Sequence, residues 1–289
     1  MTALSPTQSH QGASGDHGSR KIVAAITDDA TASTVLSAAD AIANLYAASV
    51  EAVHVGREHA TLTALARTFG LPLTTVAGEP MKALARAAAA EDVVAVVIGA
   101  RGSPAGKHPL GGTAAALVTS LGKPVVVVPP DAPEVHAVER VLVPLDGTAV
   151  SAAALHEVVA LASEADLGIV VAHVYPERSL PAFSDHLPHE VRAWREEFLA
   201  RYCPSATEIT LELRVGEPHE HVLDILRRSH CDLVALGWSQ DLARGRAAVV
   251  RRMLAESPVP VLLTPVSNDS ALAPAAVVLA PDTIEREPA

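Results

Sequence analysis

The sequence predicts two doubly wound α/β domains in tandem, each a five-stranded parallel sheet with helices on both faces. Three observations predict it. Apolar runs of strand length alternate with alanine- and leucine-rich runs of helix length, as in strands buried on both faces. The alternation occurs twice in the same order. And 49% hydrophobic content over 289 residues is enough for two cores and argues against a mainly disordered chain.

The elements of the first copy follow in order. Lys21–Thr27 reads as a buried strand and Ala32–Ala48 as a helix. Val50–Val55 is strand-like, His59–Thr68 helical, and Leu73–Val76 a brief strand ahead of Gly78-Glu79-Pro80. That proline fits the first turn of a helix through Met81–Ala90, where its missing N–H costs little. Val93–Ile98 is the fourth strand, and a glycine-rich loop leads to a helix from about Thr113 to Leu121 and the strand Pro124–Val128.

The second copy is legible as a repeat. KIVAAITDD at 21–29 matches ERVLVPLDG at 139–147, which aligns Asp28 with Asp146 and Ser33 with Ser151. AVHV at 52–55 matches VAHV at 171–174, and VAGEP at 76–80 matches RVGEP at 214–218. VVAVVIGA at 93–100 matches CDLVALGW at 231–238, and each copy closes on a proline-led β-branched run, KPVVVVPP and VPVLLTPV. The copies join near Asp131–Glu134. The expected organisation is a mobile tail at 1–20, a first domain at 21–132, a second at 138–266 and a tail at 267–289. In the second tail, Ala275–Leu279 could pack as a stray strand. The second domain carries about 19 extra residues between its second strand and its GEP element, including the charged helical segment His189–Arg201.

Composition removes several function classes. A net charge of −11 disfavours non-specific attraction to nucleic acid or an anionic membrane. Two cysteines, Cys203 and Cys231, exclude a disulfide framework and a four-cysteine zinc site. The longest apolar stretch, Val93 to Ala100, falls far short of the roughly 20 residues of a spanning helix. The first twenty residues lack the apolar core of a secretory signal, so the expected location is the cytoplasm.

In an open parallel sheet, ligands bind beyond the carboxyl ends of the strands, where the strand order reverses. Thr27-Asp28-Asp29 follows the first strand. The fourth is followed by Gly99-x2-Gly102-x9-Gly112-Thr113, with Arg101 and Lys107 nearby. Glycines there admit backbone N–H groups to a ligand, and Gly112-Thr113 opens a helix whose N-terminus favours a phosphate. The loop is not a Walker A motif, because Gly102 to Lys107 is one residue short and His108 stands where a hydroxyl would meet magnesium.

With these motifs, residues 21–266 resemble the universal stress proteins in their tandem form. The resemblance implies strand order 3-2-1-4-5 and an adenine nucleotide in the first copy: ATP first, AMP or cyclic AMP as alternatives, with magnesium accompanying the nucleotide. It implies that Ile26, Thr27, Asp28 and Val53 hold adenine and ribose. Gly99, Arg101, Gly102, Gly112, Thr113 and the N–H groups of Ala114 and Ala115 would hold the phosphates. The family commonly has a second hydroxyl where this chain has Ala115, which implies weaker phosphate binding or a different adenine nucleotide.

In the second copy Gln240 replaces the second glycine, and Ala248-Val249 or Val250-Arg251 stand where Gly-Thr should be. Side chains then fill the phosphate cradle, and this copy is read as ligand-free, with Asp146 ending a strand or capping a helix. Other candidates carry bland readings. His54 and His173, at equivalent positions, share a structural role. His219-Glu220-His221 with Cys231 does not make a zinc site, because i and i+2 lie on different faces of a helix. Arg244, Arg246, Arg251 and Arg252 read as a solvated helix face, with an anion or acidic-partner site as the alternative, and Trp194 and Phe198 pack the inserted helix onto its domain. The functional reading is a stress-related regulatory protein that binds an adenine nucleotide. The alternatives are a slow ATP hydrolase or nucleotidyl-transfer enzyme, and a nucleotide-free pairing scaffold. Beside the loop only Asp28 and Asp29 could serve as a base, which favours binding over catalysis. The two proline-led strands are expected to pair within the chain about a pseudo-twofold axis, and tandem chains to form a homodimer.

Overall fold

The computed structural model describes residues 20–28, 30–101, 110–175, 195–200, 209–243 and 247–266. The first copy runs β1 (Lys21–Ala25), α1 (Ala32–Tyr46), β2 (Ser49–Val55), α2 (Ala60–Thr68), β3 (Leu73–Val76), α3 (Pro80–Ala88), β4 (Val93–Gly99), α4 (Gly112–Ser120) and β5 (Val125–Val128). The second runs β6 (Arg140–Pro144), α5 (Ala149–Glu164), β7 (Gly168–Tyr175), a helical stretch α6 at 195–200, β8 (Ile209–Val215), α7 (Pro218–Arg228), β9 (Leu233–Trp238), α8 (Ala248–Glu256) and β10 (Val261–Pro265). The two expected tails, apart from Arg20, lie outside the described residues.

All ten strands join one sheet in the order β3-β2-β1-β4-β5-β10-β9-β6-β7-β8. Each half has the 3-2-1-4-5 order, reversing between β1 and β4 and between β6 and β9. Pairing within each half is parallel. The halves meet where β5 and β10 pair antiparallel, with Val125, Val126 and Val127 opposite Leu263, Leu262 and Val261. Joining them leaves neither apolar edge open. The expected internal pairing is present.

Alternate strand residues serve different cores. Ile22, Ala24, Val126 and Leu262 pack with α1, α2, α5 and Phe198. Val23, Val125, Val127 and Val261 pack with α3, α4, α7 and α8. Phe198 is thus docked as expected, while Trp194, Cys203 and most of His189–Arg201 lie outside the described residues. Pro80 and Pro218 occupy the first turns of α3 and α7. Gly78 and Gly216, just before them, have φ of +129 and +134, which a side chain would strain.

The linker is fastened to α1: Ser33 Oγ bonds Glu134, and Ser37 Oγ donates to Val135 O at 2.7 Å. A second clasp comes from the loop after β9. Gln240, in the left-handed region at φ 57, donates Nε2 to Leu121 O at 2.7 Å and to Val118 O at 3.3 Å. The side chain at the expected second-glycine position therefore ties the second copy to the C-terminal end of α4 in the first.

Candidate functional site

The carboxyl ends of β1 and β4 open on the first candidate crevice. Ile26 continues the ladder by donating its N–H to Val53 O at 2.9 Å, and His54 Nδ1 donates to Ile26 O at 3.1 Å. The second copy repeats this: Leu145 N–H donates to Ala172 O at 2.9 Å and His173 Nδ1 to Leu145 O at 2.8 Å. These histidines pin the end of the first strand, as expected of a shared structural role.

The same bonds correct the alignment of the two aspartates. Since His54 matches His173 and Ile26 matches Leu145, Thr27 occupies the place of Asp146, and Asp28 lies one residue further on. Their surroundings differ accordingly. Asp28 has a side chain 60% exposed and receives His59 Nε2 at 2.9 Å. Asp146 Oδ1 accepts Thr148 N at 2.9 Å, Thr148 Oγ1 at 2.7 Å and the Ser151 hydroxyl. Burial pushes the Asp146 carboxyl up, but the hydrogen bonds from Ser151 and Thr148 outweigh it and hold the group below the ordinary aspartate value.

Across the crevice from β1, Gly99 ends β4, Arg101 follows, and Gly111 N–H donates to Ala100 O at 2.8 Å. That bond closes the neck of the glycine-rich loop and aims the N-terminus of α4 at the crevice. Gly102 and Lys107 lie outside the described residues. The two described glycines of the motif have different reasons to be glycine. A Cβ on Gly99 would meet Thr31 Oγ1 at 3.2 Å and Arg101 O at 3.5 Å, and one on its counterpart Gly237 would meet Ala154 Cβ at 3.1 Å. That position is tight in both copies. A Cβ on Gly112 would meet nothing within 4 Å among the described residues, so their packing does not require glycine there.

The start of α4 has no side-chain cap. Ala115 N–H donates to Gly111 O at 2.9 Å, so of the two amides the resemblance implies, that one is already spent inside the helix. Among the described residues none accepts the N–H of Gly112, Thr113 or Ala114. Arg101 Nε and His59 Nδ1 are buried with no hydrogen-bond partner. An unmet buried donor such as Arg101 Nε is costly.

In the second copy α8 begins at Ala248 after Ala247 in the left-handed region, so Ala248-Val249 take the places of Gly112-Thr113. Apolar side chains stand where the phosphate cradle would be. The rest of the crevice is open: a cavity of about 810 Å³ lies at the ends of β6, β7 and β9, beside Asp146, His173 and Trp238. The expectation of filled space holds at the helix start and misses this cavity. Cys231 is buried, and burial pushes its thiol up to about 12. Among the described residues no group of three metal-type ligands occurs and no helix is long and apolar enough to cross a membrane. Of the basic cluster, Arg252 pairs with Glu256 at 2.8 Å, while the buried Arg251 Nε lacks a partner; Arg244 and Arg246 lie outside the described residues.

The ends of β1 and β4, and of β6 and β9, lie at the switch points of doubly wound sheets, where open α/β sheets bind ligands. The chain belongs to the universal stress protein family, whose pattern it matches over residues 58–129 and 137–265. The matched part of the first copy begins after β2 and so leaves out Thr27 and Asp28. A universal stress protein from Archaeoglobus fulgidus DSM 4304 superposes with a TM-score of 0.62 at 15% identity, over 88% of this chain and 98% of that one. A functionally unknown protein from Pseudomonas aeruginosa PAO1 gives 0.64 at 15% identity, over 88% and 95%. A universal stress protein solved in complex with cAMP covers 45% of this chain and 98% of its own, with 19% identity and a TM-score of 0.36. No curated protein matches the sequence.

Proposed function

We propose that the chain binds an adenine nucleotide, ATP in the first place, in the crevice of its first copy, and acts as a regulatory binding protein. The observation that carries this reading is the start of α4. Among the described residues nothing accepts the amides of Gly112, Thr113 and Ala114, and a Cβ on Gly112 meets nothing within 4 Å; a helix N-terminus of this kind suits a phosphate. In this reading Gly99, Arg101, Gly102, Gly112, Thr113 and Ala114 hold the phosphates. Ile26, Thr27, Asp28 and Val53 form the wall for base and ribose, with His59 beside Asp28. Magnesium, when present, would arrive with the phosphates, since the described residues offer no cluster of ligands for it.

No described side chain is poised as a general base on a water beside α4, and Asp28 is engaged by His59. Binding is therefore favoured over hydrolysis. The test is calorimetric titration of ATP, AMP and cyclic AMP into wild type and Gly112→Val. The variant should fold normally, because a Cβ at Gly112 meets nothing within 4 Å among the described residues, and should lose nucleotide affinity. Equal affinity in both proteins would remove the loop from the site.

A further inference from the structure

The second copy keeps a cavity where its phosphate cradle has been closed, and the chemistry of its wall differs from that of the first crevice. All three hydrogen bonds to Asp146 from other residues fall on Oδ1, so Oδ2 has no such donor among the described residues. Glu217 differs in the same way from its counterpart. Glu79 caps α3 by accepting Met81 N and Lys82 N, both at 3.0 Å, whereas Glu217 makes no side-chain cap on α7 and lines the cavity. The described lining contains no lysine or arginine. Its apolar part includes Leu145, Val174, Val222 and Val250, and its aromatic part Trp238, Tyr175 and His173.

The charge balance decides what such a wall tolerates. The starts of α5, α7 and α8 border the cavity, and each carries about half a positive charge. Two carboxylates offset them, so the described lining is close to neutral. A phosphate ester would bring about two negative charges that no described cation meets. Apolar and aromatic walls with carboxylate acceptors at Asp146 and Glu217 suit an uncharged ring compound that carries a donor instead.

We propose that this cavity is a second binding site, for an uncharged aromatic molecule whose hydrogen-bond donor meets Asp146 Oδ2, and not for a phosphate ester. The two copies would then take ligands of different class. Trp238 reports the event directly, because it lines the cavity and is buried. The other tryptophan, Trp194, is removed as Trp194→Phe.

The test titrates the full-length protein with four probes on one ring system: 1-naphthol, 1-methoxynaphthalene, naphthalene and 1-naphthyl phosphate. Saturable quenching of Trp238 is expected for 1-naphthol, at least tenfold weaker binding for the two probes without a donor, and none for the phosphate. Asp146→Asn keeps an oxygen for Thr148 and Ser151 while replacing the Oδ2 acceptor with an amide NH2 donor, and should weaken 1-naphthol at least tenfold. Ala248→Phe places a ring over the exposed rim of the cavity and should abolish binding without touching the core. The proposal is overturned by no saturable binding of 1-naphthol, by equal binding of the phosphate, or by 1-naphthol affinity unchanged in Asp146→Asn. None of these outcomes bears on nucleotide binding by the first copy.

Discussion

The two copies share strand order, the histidine that pins the first strand, and a glycine at or next to the end of the fourth strand, yet the segments that follow that strand differ. In the first copy the segment after β4 leads to a helix start with free amides. In the second the corresponding segment reaches back across the seam, where Gln240 fastens onto Leu121 and Val118. The first copy leaves Asp28 exposed beside His59, while the second ties Asp146 into the start of α5. The glycine that sits tight against its neighbours, Gly99 or Gly237, recurs in both copies, whereas the unconfined Gly112 is replaced by Ala248.

The largest expected effect falls on the seam that the copies share. Val126 is fully buried opposite Leu262, so Val126→Asp would bury an unpaired carboxylate at a cost of several kcal/mol. Denaturation should show separation or loss of the two halves; a cooperative transition with wild-type midpoint would mean that the strands do not meet.

Asp28→Ala and Asp146→Ala then divide the copies by readout. The first should weaken nucleotide binding at least tenfold, because a hydrogen bond to a charged acceptor is worth about 1.5–3 kcal/mol, and should leave stability nearly unchanged. The second should leave nucleotide binding alone and destabilise the protein by about 1–3 kcal/mol through loss of the bonds to Thr148 and Ser151. Equal nucleotide losses would mean that both crevices bind it. The Asp146 contribution also has a pH signature. Its folded-state value is lowered, so the stabilisation is complete above the ordinary aspartate value and is lost as pH falls through the folded-state value. The stability gap between wild type and Asp146→Asn should therefore close in acid.

A smaller effect concerns Gln240. Gln240→Ala removes two hydrogen bonds between the copies and should cost about 1 kcal/mol, read as a lower denaturation midpoint with nucleotide affinity retained. The smallest is chemical. With its thiol raised to about 12 by burial, Cys231 should resist alkylation at neutral pH in the native protein and react on unfolding.

Much of this was legible in the sequence because strands and breakers punctuate it. Leu73–Val76 begins and ends where the leucine-threonine run predicts, and Pro80 and Pro218 mark the helix starts. The aspartate alignment slipped by one residue because an unbroken apolar run offers no mark of register; the matched histidines of the second strands carried the information instead. The clasp of Gln240 on α4 joins residues about 120 apart in the chain, and no local pattern encodes it. The cavity depends on how β6, β7 and β9 end around Trp238, which is settled by packing. The distinction between Gly99 and Gly112 is likewise a matter of neighbours, since both read simply as glycine in a loop.

The central claim is that one nucleotide site exists per chain and that α4 builds it. Its most direct measurement is the stoichiometry of ATP binding by calorimetry in wild type, Gly112→Val and Asp146→Asn. The account predicts one nucleotide per wild-type chain, none in Gly112→Val, and one with unchanged affinity in Asp146→Asn. Two nucleotides per chain, or one that survives Gly112→Val, would contradict it.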